Sequence, residues 1–182
     1  MKKLMTMLAA GALAATGALS ACETAPKTEP ERQALVTAAN AKITEFRTAD
    51  PSMSQFFDTS AGYAVFPTVG SGAFIVGGSY GRGVVYERGI AVGFADITAG
   101  SIGLSAGGQG FSEVVFFQTQ EVLDKFKAGK FSFTADANAV AVDAGAAATA
   151  RFRNGVAVFI RGQSGLMADA SIGGQGFGYK PF

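Results

Sequence analysis

The chemistry open to this chain starts with its one thiol. Cys22 closes the stretch Leu19-Ser20-Ala21-Cys22, after a basic start (Lys2, Lys3) and an apolar run over residues 4–19. A small residue before a cysteine at the end of such a segment suits bacterial lipoprotein processing. The peptidase takes Ala21 into a tight pocket, and the Cys22 thiol receives a diacylglyceryl group. Gly11 and Gly17 interrupt the run, so residues 1–21 read as a cleaved signal rather than a transmembrane helix. Glu23, where aspartate would signal inner-membrane retention, favours an outer-membrane anchor facing the periplasm.

Other chemistry is thinly supplied. The chain has no histidine, which removes the commonest general base and metal ligand, and one cysteine cannot form an internal disulfide. Zinc is excluded on the same grounds. The acidic residues are scattered and build no calcium loop, so no metal or cofactor is expected. No glycine-rich stretch opens a helix in a nucleotide-binding frame, and no serine sits in a nucleophile elbow. Asp96 and Glu113 are the one carboxylate pair that polarity suggests for hydrolysis, with a sheet-edge or salt-bridge role as the plainer reading.

Charge is balanced. Without Lys2 and Lys3, 13 basic residues stand against 14 acidic ones over 161 residues, which argues for one domain and against nucleic acid as a partner. Any anion-receiving surface must therefore be local. Lys125, Lys127 and Lys130 cluster at the end of a predicted helix, where cations meet the negative dipole end. Arg151 and Arg153 alternate along a predicted strand and so share one face, with Phe152 on the other. Both groups read either as solvated surface or as a receiver of lipid headgroups or cell-wall polymer.

The elements that position these groups follow from periodicity. Residues 22–28 read as a tether. Thr28-Glu29-Pro30-Glu31 matches a capping box for a helix over residues 29–48. Leu35, Ala39, Ile43 and Phe46 fall on one face of it, to pack on a domain or to lie on lipid. Asp50-Pro51-Ser52 can start a second, short helix through Phe57. Strands are predicted at residues 63–66, 73–76, 84–86, 90–95, 113–117 and 156–160, with tight turns at Glu87-Arg88-Gly89 and Arg153-Asn154-Gly155. Thr119 can cap a mid-chain helix holding Val122, Leu123 and Phe126, stopped by Gly129. Residues 135–150 read as extended or irregular. Ser101-Ile102-Gly103 and Ser171-Ile172-Gly173 each lead to a Gly-Gln-Gly-Phe segment, read as a turn after a strand. Glycines within strands allow sharp bends, so the sheet should be strongly curved.

Five ordered blocks carry a family resemblance. The run 62–70 (GYAVFPTVG), then Gly77-Gly78-Ser79-Tyr80-Gly81-Arg82-Gly83-Val84, resembles the signature of the SYLF family. Residues 101–109, then 113–117 with 122–126, and 165–168 with 172–174 are similar to its later blocks, so the likeness covers most of residues 35–182. These are lipid-binding domains first associated with yeast actin-patch proteins, which also occur as bacterial lipoproteins. The resemblance implies a module for phosphoinositide or other anionic lipid over residues 29–182, actin binding in some eukaryotic members, and no enzyme activity. It also implies that the N-terminal helix, here with Arg32, Lys42 and Arg47, touches lipid.

The expectation is an α+β domain, mostly curved antiparallel β-sheet with an N-terminal amphipathic helix and a mid-chain helix. Its function is expected to be non-enzymatic lipid binding at a membrane. The alternative is an assembly protein that pairs with itself or with an envelope partner.

Overall fold

The computed structural model describes residues 24–70, 78–99, 102–103, 110–129, 132–133, 140–141, 144–162, 171–172 and 174–182. The chain is an α+β fold made mostly of sheet. Helix α1 (Glu29–Ala49) leads through a 3-10 turn (Pro51–Met53) into α2 (Ser54–Thr59). Strands β1 (Gly62–Gly70), β2 (Ser79–Glu87), β3 (Ile90–Ala99), β4 (Ile102–Gly103) and β5 (Phe111–Phe117) follow. Next come α3 (Gln120–Lys127), β6 (Ser132–Phe133), β7 (Val140–Ala141) and α4 (Ala146–Thr149). Strands β8 (Val156–Gly162), β9 (Ser171–Ile172) and β10 (Gln175–Pro181) end the chain. The main sheet runs β6-β10-β3-β2-β1-β5-β8-β7 and does not close. Its six longer strands pair antiparallel throughout, and only β7 lies parallel to its neighbour, β8.

Local chemistry sets the helix ends. The Thr28 hydroxyl accepts from the Glu31 amide at 3.4 Å, and the Glu31 carboxylate accepts from the Thr28 amide at 3.2 Å, completing the expected capping box. Ala39 and Phe46 are buried, and Leu35 and Ile43 pack beside them, so the apolar face of α1 covers the sheet. Of the two roles open to that face, this structure shows packing. Asp50 caps the 3-10 turn and also accepts from the Ala147 amide at 2.7 Å, fixing α4 to the end of α1. Ala25 is buried in the same cluster, so the middle of the expected tether packs on the domain while Lys27 and Thr28 stay exposed.

Both faces of the sheet are covered. Tyr63, Val65, Val84, Tyr86, Val114, Phe116 and Phe159 face α1 and α2. Ala64, Phe66, Val85, Ile97, Phe111, Val115, Phe117 and Ile160 face the other way, with Leu123 and Phe126 of α3. Burial on both sides explains why β5 is buried at all seven positions and apolar at five of them. Pro67 sits inside a central strand, where it can donate no ladder bond. The register shifts there against both neighbours, a bulge that bends the strand. Gly83 does the rest: a Cβ there would lie 2.7 Å from the Phe66 ring and closer still to the Val65 carbonyl oxygen, so glycine lets β1 and that ring approach β2 closely.

Three expectations need correction. Gln175-Gly176-Phe177 belongs to β10, not to a turn, because the ladder with β3 holds it extended despite its glycines. Residues 146–149 form the short helix α4 inside the stretch read as irregular. Arg151 and Phe152 precede β8 as irregular chain, and Arg153 only bridges to Val156. Phe152 is drawn inward by the Phe56 ring at 5.3 Å, which prevents a strand there. The echoed segments do meet, since β4 and β9 pair antiparallel as Ile102↔Ile172 and Gly103↔Ser171. The predicted strand at 73–76 lies outside the described residues.

Replacing Gly83 with valine should lower stability by about 1–3 kcal/mol through forced displacement of Phe66. Urea denaturation checks this, and an unchanged midpoint would contradict the close approach.

Candidate functional site

Strand register gathers one end of the molecule. Glu87 pairs with Gly62, Gly62 with Phe117, and Phe117 with Val156, so these four residues form one row across β2, β1, β5 and β8. The Arg88-Gly89 turn and the Asn154-Gly155 turn therefore project from the same edge, flanking Glu87 and Val156, which three strand spacings set about 14 Å apart along the sheet. Both are two-residue turns with left-handed backbone: φ is 51° at Arg88, 79° at Gly89, 51° at Asn154 and 79° at Gly155. Paired positive φ values mark the turn type whose twist matches that of antiparallel strands. Ile90 beside the first turn is 70% exposed.

Ion pairs sort the cations. Lys127 is bonded to Glu87, which holds that carboxyl below its usual range. Lys125 pairs with Glu121 at 2.7 Å and Lys42 with Glu45 at 2.7 Å. Arg161 reaches the same Glu45 at 3.0 Å. Arg47 bonds Asp58 at 3.0 Å and lies 4.5 Å above the Phe57 ring. Arg32 donates to the Pro26 carbonyl at 3.1 Å and lies 3.8 Å from Glu29. Arg88, Arg151 and Arg153 are exposed, and none lies within ion-pair distance of a carboxylate among the described residues. Arg151 instead donates to the Ala148 and Ala150 carbonyls at 3.2 and 2.7 Å, over the end of α4. Near the turns, Asp58, Glu87 and Glu121 are each taken by a cation and Asp124 accepts from Gln120, so among the described residues three arginines remain in surplus.

Of the residues expected to touch lipid, the structure thus brings Arg151 and Arg153 to one end, while Lys125, Lys127, Arg32, Lys42 and Arg47 are engaged within the fold. Lys130 and Cys22 lie outside the described residues. Sequence reasoning missed Arg88 and Ile90. The turn at Arg88 was legible, but its position beside Arg153 depends on strand order.

The buried polar residues lie elsewhere. Phe94 belongs to the cluster under α1, and Asp96 alternates onto that same face. Glu113 alternates with Phe111 and Val115 on the opposite, concave face. The two carboxylates are therefore separated by the sheet and cannot act on one bond. Glu113 is fully buried, and its Oε2 accepts from Gln175 Nε2 at 3.0 Å. Burial pushes its carboxyl up to about 8, against a small lowering by Gln175. Among the described residues no three acidic, histidine or cysteine side chains group to hold a metal ion. No helix among them is long and apolar enough to cross a membrane.

No protein-family model matches this chain. The chain is 28% identical over 151 residues to "Beta cell expansion factor A" of Aeromonas veronii, an alignment covering 82% of this chain. It spans only 58% of the length of that curated relative.

Reversing Arg88 and Arg153 to glutamate should change folding stability by less than about 0.5 kcal/mol, because neither side chain holds the fold together. Thermal unfolding of the double variant checks this. A loss of several kcal/mol would mean that these side chains have partners within the fold.

Proposed function

We propose that this chain is a lipid-anchored, non-enzymatic module of a bacterial envelope that binds anionic lipid headgroups through the turn end of its sheet. The observation that carries the reading is the surplus of Arg88, Arg151 and Arg153 at one end, where the neighbouring carboxylates are already occupied. The two turns present Arg88 and Arg153, and exposed Ile90, next to the first turn on the side away from Arg153, offers a side chain that can enter the headgroup layer. The resemblance to the SYLF family supports lipid as the partner. In that reading, however, the contact belongs to the turns, because the apolar face of α1 is spent on the sheet.

The anchor is assigned to Cys22, on the Leu19-Ser20-Ala21-Cys22 pattern, in an outer membrane facing the periplasm. Separation of Asp96 from Glu113 supports recognition over hydrolysis, since it removes the carboxylate pair that the sequence offered.

Each basic residue near an anionic surface contributes about 1 kcal/mol, so three arginines should supply roughly a hundredfold in affinity at low salt. Flotation of residues 23–182 with phosphatidylglycerol vesicles should show binding that phosphatidylcholine vesicles lack. Arg88→Glu, Arg151→Glu and Arg153→Glu together should abolish it. Equal binding to both vesicle types, or binding that survives the triple reversal, would overturn the proposal. Mass spectrometry of membrane-extracted protein should find acyl chains on Cys22.

A further inference from the structure

We propose that Glu113 and Gln175 form a proton-operated clasp: with Glu113 neutral, β10 stays folded over β5, and ionisation of Glu113 releases β10 and opens the concave face. The inference stands on geometry inside the sheet and is independent of the lipid-binding reading.

In sheet order β10 and β5 are four positions apart, with β3, β2 and β1 between them. A flat sheet would separate them by about 19 Å. The 3.0 Å bond between their side chains exists only because the sheet curls. Phe177 of β10 follows the same path, its ring 5.9 Å from Phe66 of β1 and 5.5 Å from Phe126 of α3. Gln175, Glu113 and Ser79 are buried polar residues on a concave face lined mainly by aromatic and aliphatic side chains, and Ser79 and Gln175 both pair with Ala99 of β3.

The hydrogen-bond inventory gives the proton its role. Glu113 Oε1 and Gln175 Oε1 are both buried without a partner. A carboxylate brings only acceptors, so an ionised Glu113 leaves a buried charge with one donor, from Gln175. A neutral carboxyl has an O–H to donate and carries no charge.

Among the described residues no cation offsets the ionised form. Phe66 of β1 and Ile160 of β8 are the direct strand partners of Glu113, and neither carries charge. On the flanking elements, Arg161 of β8 lies on the far face and pairs with Glu45, and Asp96 of β3 and Arg82 of β2 also lie on the far face. Lys127 of α3 is bonded to Glu87, and Lys125 to Glu121. Tyr179 of β10 donates to the Val92 carbonyl and is uncharged. Burial alone sets the direction, holding Glu113 neutral up to about pH 8.

The sign follows from proton linkage. In the open form Glu113 meets water and ionises near the usual value of about 4.3, so between that value and 8 closing takes up one proton. The open-to-closed ratio therefore rises about tenfold per pH unit across that window and levels off above it. Opening bares the rings of Phe66, Phe111 and Phe177 on the concave face.

Native-state hydrogen exchange of the full chain tests the clasp. After correction for base-catalysed exchange, the opening constant of the Gly178 and Lys180 amides, which face β3 in the register that the Phe182–Val92 bond continues, should climb about tenfold per unit from pH 5.5 to 7.5 and flatten above 8. The Val65 and Val115 amides of the central strands should not follow it at the same free energy. Glu113→Gln, which keeps an amide to pair with Gln175 but cannot ionise, should give a flat profile. If that variant does not fold, the wild-type profile decides alone. A flat wild-type profile, a slope that survives Glu113→Gln, or central strands opening in step with β10 would each overturn the proposal.

Discussion

The curl of the antiparallel sheet is the constraint from which the rest follows. A sheet of this length has two apolar faces, and its one long helix, α1, can cover only one of them. Helices α1 and α2 take one face, and the sheet covers much of the other by folding over itself. The bulge at Pro67 bends the central strand, and Gly83 allows the Phe66 ring to lie against the neighbouring backbone. Rings from β1, β5, α3 and β10 can then fill one interior. Without the bend, Phe177 would remain far from Phe66, and Gln175 would have no reach to Glu113.

The same curl divides the molecule by chemistry. Charge is kept at the rim and at the turn end, where ion pairs consume most of it and leave three arginines exposed. On the concave face the carboxyl of Glu113 is buried, and among the described residues it has no cation beside it. Two turns of the same backbone type hold Arg88 and Arg153 at fixed positions on one edge, so a flat anionic surface can meet both together. The buried acid and the two arginine-bearing turns thus share the long strands that start or end at the row of Glu87, Gly62, Phe117 and Val156.

Much of the framework was legible along the chain. The capping box at Thr28, the cap at Thr119, both turns and the packing face of α1 are local signals, set by residues within four or five positions of one another. What was illegible depends on distant partners. Gln175-Gly176-Phe177 looks like a turn because glycine tolerates any backbone, and only the ladder with β3 makes it a strand. Glu113 looks like a surface acid until strand order places it among phenylalanines. Lys127 looks available until Glu87, 40 residues away, is seen beside it. The surplus of Arg88 became visible only when its end of the sheet was assembled.

The central claim, that the sheet curls far enough to bury Glu113 against Gln175, is tested most directly by carbon-13 NMR titration of the Glu113 side-chain carboxyl. The account predicts a midpoint near 8. A midpoint near the ordinary glutamate value of about 4.3 would mean that water reaches this carboxyl and that β10 does not close over it.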